Sequence, residues 1–177
     1  MAEDSIHDHH ARFRAGDPEV FERLFREYSD AIYRFVLFKV SRKEDAEDLT
    51  QTAFVKAWER REQFGGKGTL KAWLFQIARH VVIDFYRTRK RVEELPEQVT
   101  DHGKNYLMMD THIDHERLLD QIRSLEPQEY GEVLIHRFVN ELSVEETAEA
   151  MGKSAGAIRI LQHRALAAIR KRLEEQE

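Results

Sequence analysis

Apolar residues recur at intervals of three and four along most of this chain, which is the spacing of one helix face. Such stretches run through residues 21–35, 70–85, 118–125 and 130–139. Alternating β-branched runs of the kind that form strands are scarce, and only three prolines and eight glycines interrupt the pattern. The sequence therefore predicts an all-α fold.

Polar residues mark the starts of several helices. Asp17 followed by Pro18 favours a helix start, because Asp caps a helix and Pro fits its first turn. The segments Ser41 to Glu44 and Ser143 to Glu146 both have the spacing of a capping box, in which each polar side chain bonds the other residue's backbone N–H. These signals predict three separate helix starts.

The helix after Ser41 has a polar first half and a narrow apolar face. Its predicted inner positions are small or aliphatic: Ala46, Leu49, Ala53 and Ala57. Acidic groups in its first turns complement the helix dipole, which is a sufficient structural reason for them. Phe54 and Trp58 add bulk away from the narrow face, so this surface is also a candidate for docking a partner helix.

A glycine-rich segment, Gly65 to Gly68, precedes the helix over residues 70–91. The outer face of that helix is cationic, and between Lys56 and Arg91 ten basic residues stand against three acidic ones. This segment carries +7 in a chain of net charge −5, so the remainder carries −12. A solvated amphipathic helix with a basic tail is the simpler interpretation, but the segregation of charge favours a polyanion bound at this segment.

The same segment does not match a nucleotide-binding P-loop. Lys67 is followed by Gly68 where Ser or Thr is required, Arg61 occupies the place of the first glycine, and a helix rather than a strand precedes the loop. The sequence also lacks cysteine, which excludes disulfides and thiolate metal sites. We therefore predict no nucleotide bound at this loop and no thiolate metal site.

The N-terminal residues 1–16 are polar and predict a loosely ordered tail. Its histidines (His7, His9, His10) raise the possibility of a metal site, but no other ligand motif lies nearby, so a solvated tail is favoured. The N-terminus does not resemble a signal peptide, and no apolar run is long enough to cross a bilayer. We expect a cytoplasmic protein without membrane insertion.

A change of composition after residue 93 divides the chain. From Val92 to Asp120 eight acidic residues stand against two basic ones, and the apolar periodicity is weak, as in a flexible linker. The predicted organisation is a tail over 1–16, a helical domain over 17–93, a linker over 94–116 and a second helical domain over 117–177. The linker also contains His102, His112 and His115. They raise the possibility of a metal site, but scattered, solvated side chains are favoured, so we predict no bound metal.

The second domain contains the spacing of a helix-turn-helix. Ala148 is small enough for a second helix to cross closely, Gly152 allows a left-handed turn, and Ile158 and Leu161 face inward. The same offsets also arise in ordinary αα-hairpins. As a recognition helix, the second helix would enter the major groove by its N-terminal end. The residues expected on its exposed face are Ser154, Ala157, Arg159, Ile160, His163 and Arg164.

The first domain resembles the DNA-melting domain of bacterial sigma factors of the extracytoplasmic-function (ECF) class. The resemblance rests on Asp45-Ala46-Glu47-Asp48-Leu49-Thr50-Gln51, on Ala72-Trp73-Leu74-Phe75-Gln76-Ile77-Ala78-Arg79, and on the basic run 87–91. It implies that the acidic helix binds core RNA polymerase through Asp45, Asp48, Leu49, Gln51 and Thr52. It also implies that the loop and next helix recognise the promoter −10 element through Phe64, Lys67, Thr69, Lys71, Trp73, Arg79, His80 and Arg87. His80 departs from the usual Asn.

The second domain resembles the sigma-factor domain that recognises the −35 element, and residues 156–173 are close to its usual ending. Thr147 and Lys153 depart from the aliphatic residues common there, and Lys153 is expected to extend outward. The resemblance implies an alternative sigma factor whose partners are core RNA polymerase, promoter DNA and an anti-sigma factor. It also implies a protein that is not an enzyme, with no catalytic site and no cofactor of its own. The linker's negative charge is expected to imitate RNA near the polymerase exit path.

Two other functions remain open from the sequence. A stand-alone helix-turn-helix regulator would bind duplex DNA tightly without polymerase, usually as a dimer on paired half-sites. A metal-dependent enzyme would require histidine and carboxylate ligands gathered in a pocket, whereas these histidines fall in a tail and a linker.

Overall fold

A computed structural model of the chain describes residues 9–40, 42–93 and 113–175. Every regular element within these ranges is helical, which confirms the predicted all-α class. Residues 9–14 form α1. The later α-helices are α2 (Pro18–Val40), α3 (Lys43–Glu59), α4 (Leu70–Glu93), α5 (Ile113–Arg123), α6 (Glu129–Leu134), α7 (Val144–Met151) and α8 (Ala155–Glu174).

The chain divides into two compact units, with the boundary between Lys104 and Asn105. The predicted acidic linker falls mostly on residues 94–112, outside the described ranges, so its flexibility stays a prediction. Helix α5 already begins at Ile113, a few residues before the predicted start of the second domain.

Helices α2, α3 and α4 pack against one another in the first unit. Ala46, Ala53 and Ala57 are completely buried on α3, as the narrow face predicts, and small side chains allow close helix approach. Phe35 of α2 meets Phe75 of α4 with ring centroids 5.8 Å apart, in an edge-on geometry that aromatic pairs prefer. This three-helix packing holds the polar face of α3 and the cationic face of α4 in fixed positions.

The predicted loose tail is wrong for residues 9–16. Helix α1 buries Phe13 completely, and Arg12 joins the start of α2 through Asp17, with 2.8 Å between Arg12 Nε and Asp17 Oδ2. Asp17 also accepts the Glu19 backbone N–H at 3.0 Å, as its predicted capping role requires. One apolar side chain among polar residues gave no periodic signal, which is why the sequence did not indicate this helix.

The start of α3 and its aromatic residues bear on two further predictions. The N-cap position of α3 is Arg42, without a side-chain cap. Ser41 lies outside the described residues, so the capping box from Ser41 stays a prediction. Phe54 and Trp58 both contact Phe21 of α2, with centroid distances of 6.4 and 4.9 Å. Phe54 is buried and offers no surface to a partner, whereas Trp58 is half-buried, and docking of a partner helix on the polar face of α3 stays a prediction. The aromatic residues of α2 provided partners that the pattern of α3 alone did not reveal.

In the second unit, α6 and α7 both pack on α8. Ser143 and Glu146 form the predicted capping box, with hydrogen bonds of 3.0 and 2.8 Å. Gly152 ends α7 in the left-handed region at φ 64°, the conformation the predicted turn requires. Ile158 is fully buried. The local geometry is therefore that of the predicted helix-turn-helix.

The two unusual residues of this motif have partners of their own. Thr147 is fully buried, and its hydroxyl donates to the Ser143 carbonyl at 2.7 Å, so it replaces an aliphatic side chain without leaving a polar group unsatisfied. Lys153 is partly buried, and its Nζ lies 2.8 Å from a carboxylate oxygen of Glu129 in α6. Neither departure disrupts the motif.

Candidate nucleic-acid and polymerase interfaces

The five polymerase-binding candidates lie on the first three turns of α3. Asp48, Gln51 and Thr52 are exposed, while Asp45 and Leu49 are partly buried. The Thr52 hydroxyl donates to the Asp48 carbonyl at 2.8 Å, so it is already engaged within the helix. The structure therefore brings all five together, with Asp48 and Gln51 the most accessible to a partner.

A groove of about 570 Å³ runs between α3 and α4 beside these residues. Asp45, Leu49 and Thr52 form one wall, and Val81 and Phe85 contribute to the other. Its surface is mainly apolar with charged groups at the margins. The exposed polar face of α3 thus adjoins this groove, which Asp45, Leu49 and Thr52 line.

The loop over residues 65–69 joins the end of the α3 region to α4, and all five residues are exposed. Gly66 and Gly68 have φ angles of 69° and 83°, in the region that favours glycine. Thr69 accepts the Ala72 backbone N–H through its hydroxyl at 3.1 Å and so caps α4. Lys67 is thus presented between two left-handed glycines, next to a helix N-terminus.

Phe64 is buried, although the resemblance in sequence implies that it contacts the −10 element. Its side chain is 1% exposed, so it cannot stack on DNA bases without leaving the core. Its ring lies 5.4 Å from that of Trp73, which is half-buried, and 6.3 Å from that of Phe13. The loop therefore leaves from a buried aromatic anchor, and no property of residue 64 in isolation distinguished an anchor from a contact.

The outer face of α4 carries the remaining −10 candidates. His80 and Arg87 are exposed, whereas Lys71 and Arg79 are partly buried. Asp84 on the same helix lies 3.1 Å from Arg87 and 3.6 Å from Lys56 of α3. The cationic face is therefore partly neutralised at one point, and a bound phosphate would compete with Asp84 there.

The predicted contact face of α8 is mostly accessible. Ile160 is 57% exposed, His163 and Arg164 are exposed, and Arg159 lies 3.1 Å from Glu145 of α7. Two residues of the set are less available to DNA. Ala157 is partly buried, and the Ser154 hydroxyl caps α8 by accepting the Ala157 N–H at 3.2 Å. The candidates for contact with the DNA major groove are thus the accessible side chains of Arg159, Ile160, His163 and Arg164.

Arg137 is a positioning residue that the sequence did not indicate. It lies on a π-helix over Ile135–Val139 that continues α6. Its Nε donates to Gln162 Oε1 of α8 at 2.9 Å, and its Nη1 donates to the Leu142 carbonyl. The bond to α8 spans twenty-five residues along the chain, so no local pattern could have revealed it.

No group of three or more His, Asp or Glu side chains within the described ranges is arranged to hold a metal ion. His7, His102 and His112 fall outside those ranges. Of the helices that the structure describes, none combines the length and the apolar character needed to span a bilayer.

Both units of the chain match known protein families. The sigma-70 region 2 model matches residues 24–92, and the sigma-70 region 4 model matches residues 122–171. The chain is 36% identical to the ECF RNA polymerase sigma factor BldN of Streptomyces coelicolor, over 93% of this chain and 64% of that relative. It is 34% identical to the RNA polymerase sigma-E factor of Streptomyces avermitilis, over 92% and 89% of the two chains.

One solved structure extends the comparison to three dimensions. It is that of the sigma factor RpoE in complex with the anti-sigma factor NepR from Bartonella quintana, with a TM-score of 0.68 and 26% identity, covering 87% of this chain and 96% of that one. Together these matches show that the chain belongs to the sigma-70 family, as an alternative sigma factor of the extracytoplasmic-function class that directs promoter recognition and transcription initiation.

Proposed function

We propose that α3 of this factor binds core RNA polymerase and that the two units bind different parts of a promoter. The observation that carries the proposal is the presentation of the loop 65–69. Five exposed residues, one of them a lysine, extend from a buried aromatic anchor at the start of a cationic helix. An exposed loop beside a cationic helix is suited to the phosphate backbone of an unpaired strand.

The −10 element would be opened at this loop. Extruding a stacked base costs about a few kcal/mol, so the protein must provide contacts that only the open strand can make. Lys67, Lys71 and Arg79 supply charge for the backbone, and His80 offers a donor or acceptor for a base edge. Phe64 and Thr69 support the loop from below, as anchor and helix cap, rather than contacting the strand.

The −35 element would be bound by α8. Arg159 and Arg164 are placed to pair with guanine edges or phosphates, and exposed Ile160 can contact a thymine methyl group. Each specific arginine contact is worth about 1–3 kcal/mol on the preferred sequence. Tethering this unit to polymerase-bound region 2 raises its effective concentration at the upstream site.

Core polymerase would bind the polar face of α3 and the adjoining groove, with Asp48 and Gln51 central. We also propose an anti-sigma factor as a regulatory partner, since RpoE of Bartonella quintana is held by one in its solved complex. In this role the protein needs no catalytic group or cofactor of its own, and it acts in the cytoplasm beside the polymerase.

Transcription in vitro with purified core polymerase and a promoter library tests the proposal. We expect new start sites that require the factor, and enrichment of two conserved elements upstream of them. The free protein should bind the same duplexes weakly, since its net charge is −5. Tight binding of paired half-sites without polymerase, with no initiation, would instead establish a stand-alone regulator.

Purification from the native cell under non-inducing conditions tests the regulatory partner. A co-eluting protein that blocks core binding is expected. Recovery of active factor with no co-eluting protein under those conditions would count against an anti-sigma partner.

A further inference from the structure

Helix α1 packs against aromatic residues that flank the loop 65–69, although it lies before the region 2 match, which begins at residue 24. Phe13 of α1 is completely buried. Its ring lies 5.7 Å from Trp73 and 6.3 Å from Phe64, and the His10 ring lies 4.8 Å from Phe64. We call His10, Phe13, Phe64 and Trp73 the anchor cluster.

Two members of the anchor cluster flank the loop 65–69. Phe64 directly precedes Gly65, and the Trp73 backbone N–H donates to the Thr69 carbonyl at 3.1 Å. A Cβ added at Gly65 or Gly66 would meet no atom within 4 Å, so the backbone of both glycines faces open space on that side. The packed aromatic side chains next to the loop in sequence are thus Phe64 before it and Trp73 one turn after it.

Helix α1 is itself fixed from two sides. Arg12 Nη2 lies 2.7 Å from Asp17 Oδ2 at the start of α2. Gly16, at φ 79°, approaches so closely that a Cβ there would lie 2.9 Å from Arg61 Nε. Arg61 in turn donates to the Trp58 carbonyl at 2.9 Å. The helix is thus attached to the body of the first unit, and Phe13 is the side chain it contributes to the anchor cluster.

From these contacts we infer that Phe13 is a positioning residue for promoter opening: it fixes the aromatic anchor from which the loop 65–69 captures the unpaired −10 strand. The inference rests on the proposed function of that loop. Phe13 touches neither DNA nor polymerase in this role, because its side chain is completely buried. Binding of an unpaired strand is sensitive to placement, and a displacement of about 1 Å can cost about 100-fold in rate.

The test uses full-length protein assembled with core polymerase. Phe13→Ala removes the ring, and Phe13→Leu keeps much of its apolar volume. Ala11→Gln is the matched control, because Ala11 is exposed on the same helix. Three quantities are measured for each variant: affinity for core enzyme, rate of open-complex formation from the permanganate reactivity of unpaired thymines, and the same reaction on a promoter whose −10 region is already mismatched.

We expect Phe13→Ala to slow opening of the duplex promoter by about 10- to 100-fold, with core affinity unchanged. Phe13→Leu should recover most of the rate, Ala11→Gln should match wild type, and the mismatched promoter should recover much of the loss. If Phe13 acts through the loop, Phe13→Ala combined with Lys67→Ala should be no worse than the slower single variant.

Two results would overturn the inference. One is an unchanged opening rate for Phe13→Ala. The other is a parallel loss of core affinity and opening, additive with Lys67→Ala and not relieved by the mismatched promoter, which would make Phe13 an ordinary core residue. Failure of the proposed function is distinguishable, since it would appear in the wild-type protein as an absence of core binding or of promoter opening.

Discussion

The ion pair between Arg159 and Glu145 leads to a quantitative prediction for −35 recognition. Arg159 Nη2 lies 3.1 Å from Glu145 Oε1, and the two side chains are 61% and 69% exposed. To reach a guanine edge or a phosphate, Arg159 has to leave this carboxylate. Glu145 therefore competes with DNA for the arginine, and Glu145→Gln should strengthen −35 binding.

The size of the gain follows from the exposure of the pair. Two unit charges 3.1 Å apart in water attract by about 1.3 kcal/mol. Salt screening and side-chain entropy reduce such exposed pairs to about 0.2–1 kcal/mol. The gain for Glu145→Gln should thus be at most about fivefold at low salt, since about 1.4 kcal/mol corresponds to tenfold, and it should shrink as salt is raised.

Holoenzyme binding to a promoter fragment, titrated at several salt concentrations, measures this gain. Glu145→Gln also removes general repulsion of phosphate, so the same change is made in an Arg159→Ala background. Arg159→Ala alone should lose about 1–3 kcal/mol on the preferred −35 sequence. Competition for Arg159 predicts a smaller gain from Glu145→Gln in that background. Glu174→Gln, an exposed position near the end of α8, controls for net charge.

The measurements distinguish competition by Glu145 from two other roles of this carboxylate. An equal gain in both backgrounds would show repulsion of DNA alone and refute the competition. A loss of −35 affinity in Glu145→Gln would mean that the carboxylate orients Arg159 for its contact. Equal losses of Arg159→Ala on every sequence would make Arg159 a phosphate contact.

Three further predictions concern other parts of the molecule. Changing Asp48 and Gln51 to Arg should weaken core-polymerase binding while circular dichroism stays unchanged, because both side chains are exposed; Glu59→Arg at the far end of α3 is the control, and unchanged core affinity would refute the assignment. Arg137→Met should lower the free energy of unfolding of the second unit by about 1.5–3 kcal/mol through lost charge-assisted hydrogen bonds, and thermal unfolding would show a smaller effect if solvent replaces them. The hydrogen bond from Arg12 holds the pKa of Asp17 below its ordinary value of 3.8, so its stabilisation is fully present above that pH and is lost as pH falls through the lowered pKa. Asp17→Asn should therefore lower thermal stability at neutral pH and reduce its dependence on acid; an identical acid profile would contradict this.

Local sequence signals determined much of this protein. The capping box at Ser143 and the left-handed Gly152 were predictable, because each depends on residues within a few positions of itself. The helical class followed from apolar spacing, and the small face of α3 identified the side that α2 and α4 cover. Charge counting located the cationic segment of α4.

Other properties depended on residues far apart in the chain. Phe64 could be a strand contact or an anchor until α1 placed Phe13 against it, and burial is a property of the packed unit rather than of the residue. Trp58 likewise found its partner on α2, and Arg137 found its partner on α8. The sequence alone determined which segments become helices and where the positive charge lies. Only the tertiary structure decided which aromatic and cationic side chains support the loop 65–69 and the exposed face of α8, and which of them remain accessible. The physical reason is that burial depends on contacts between distant segments, which no local pattern encodes.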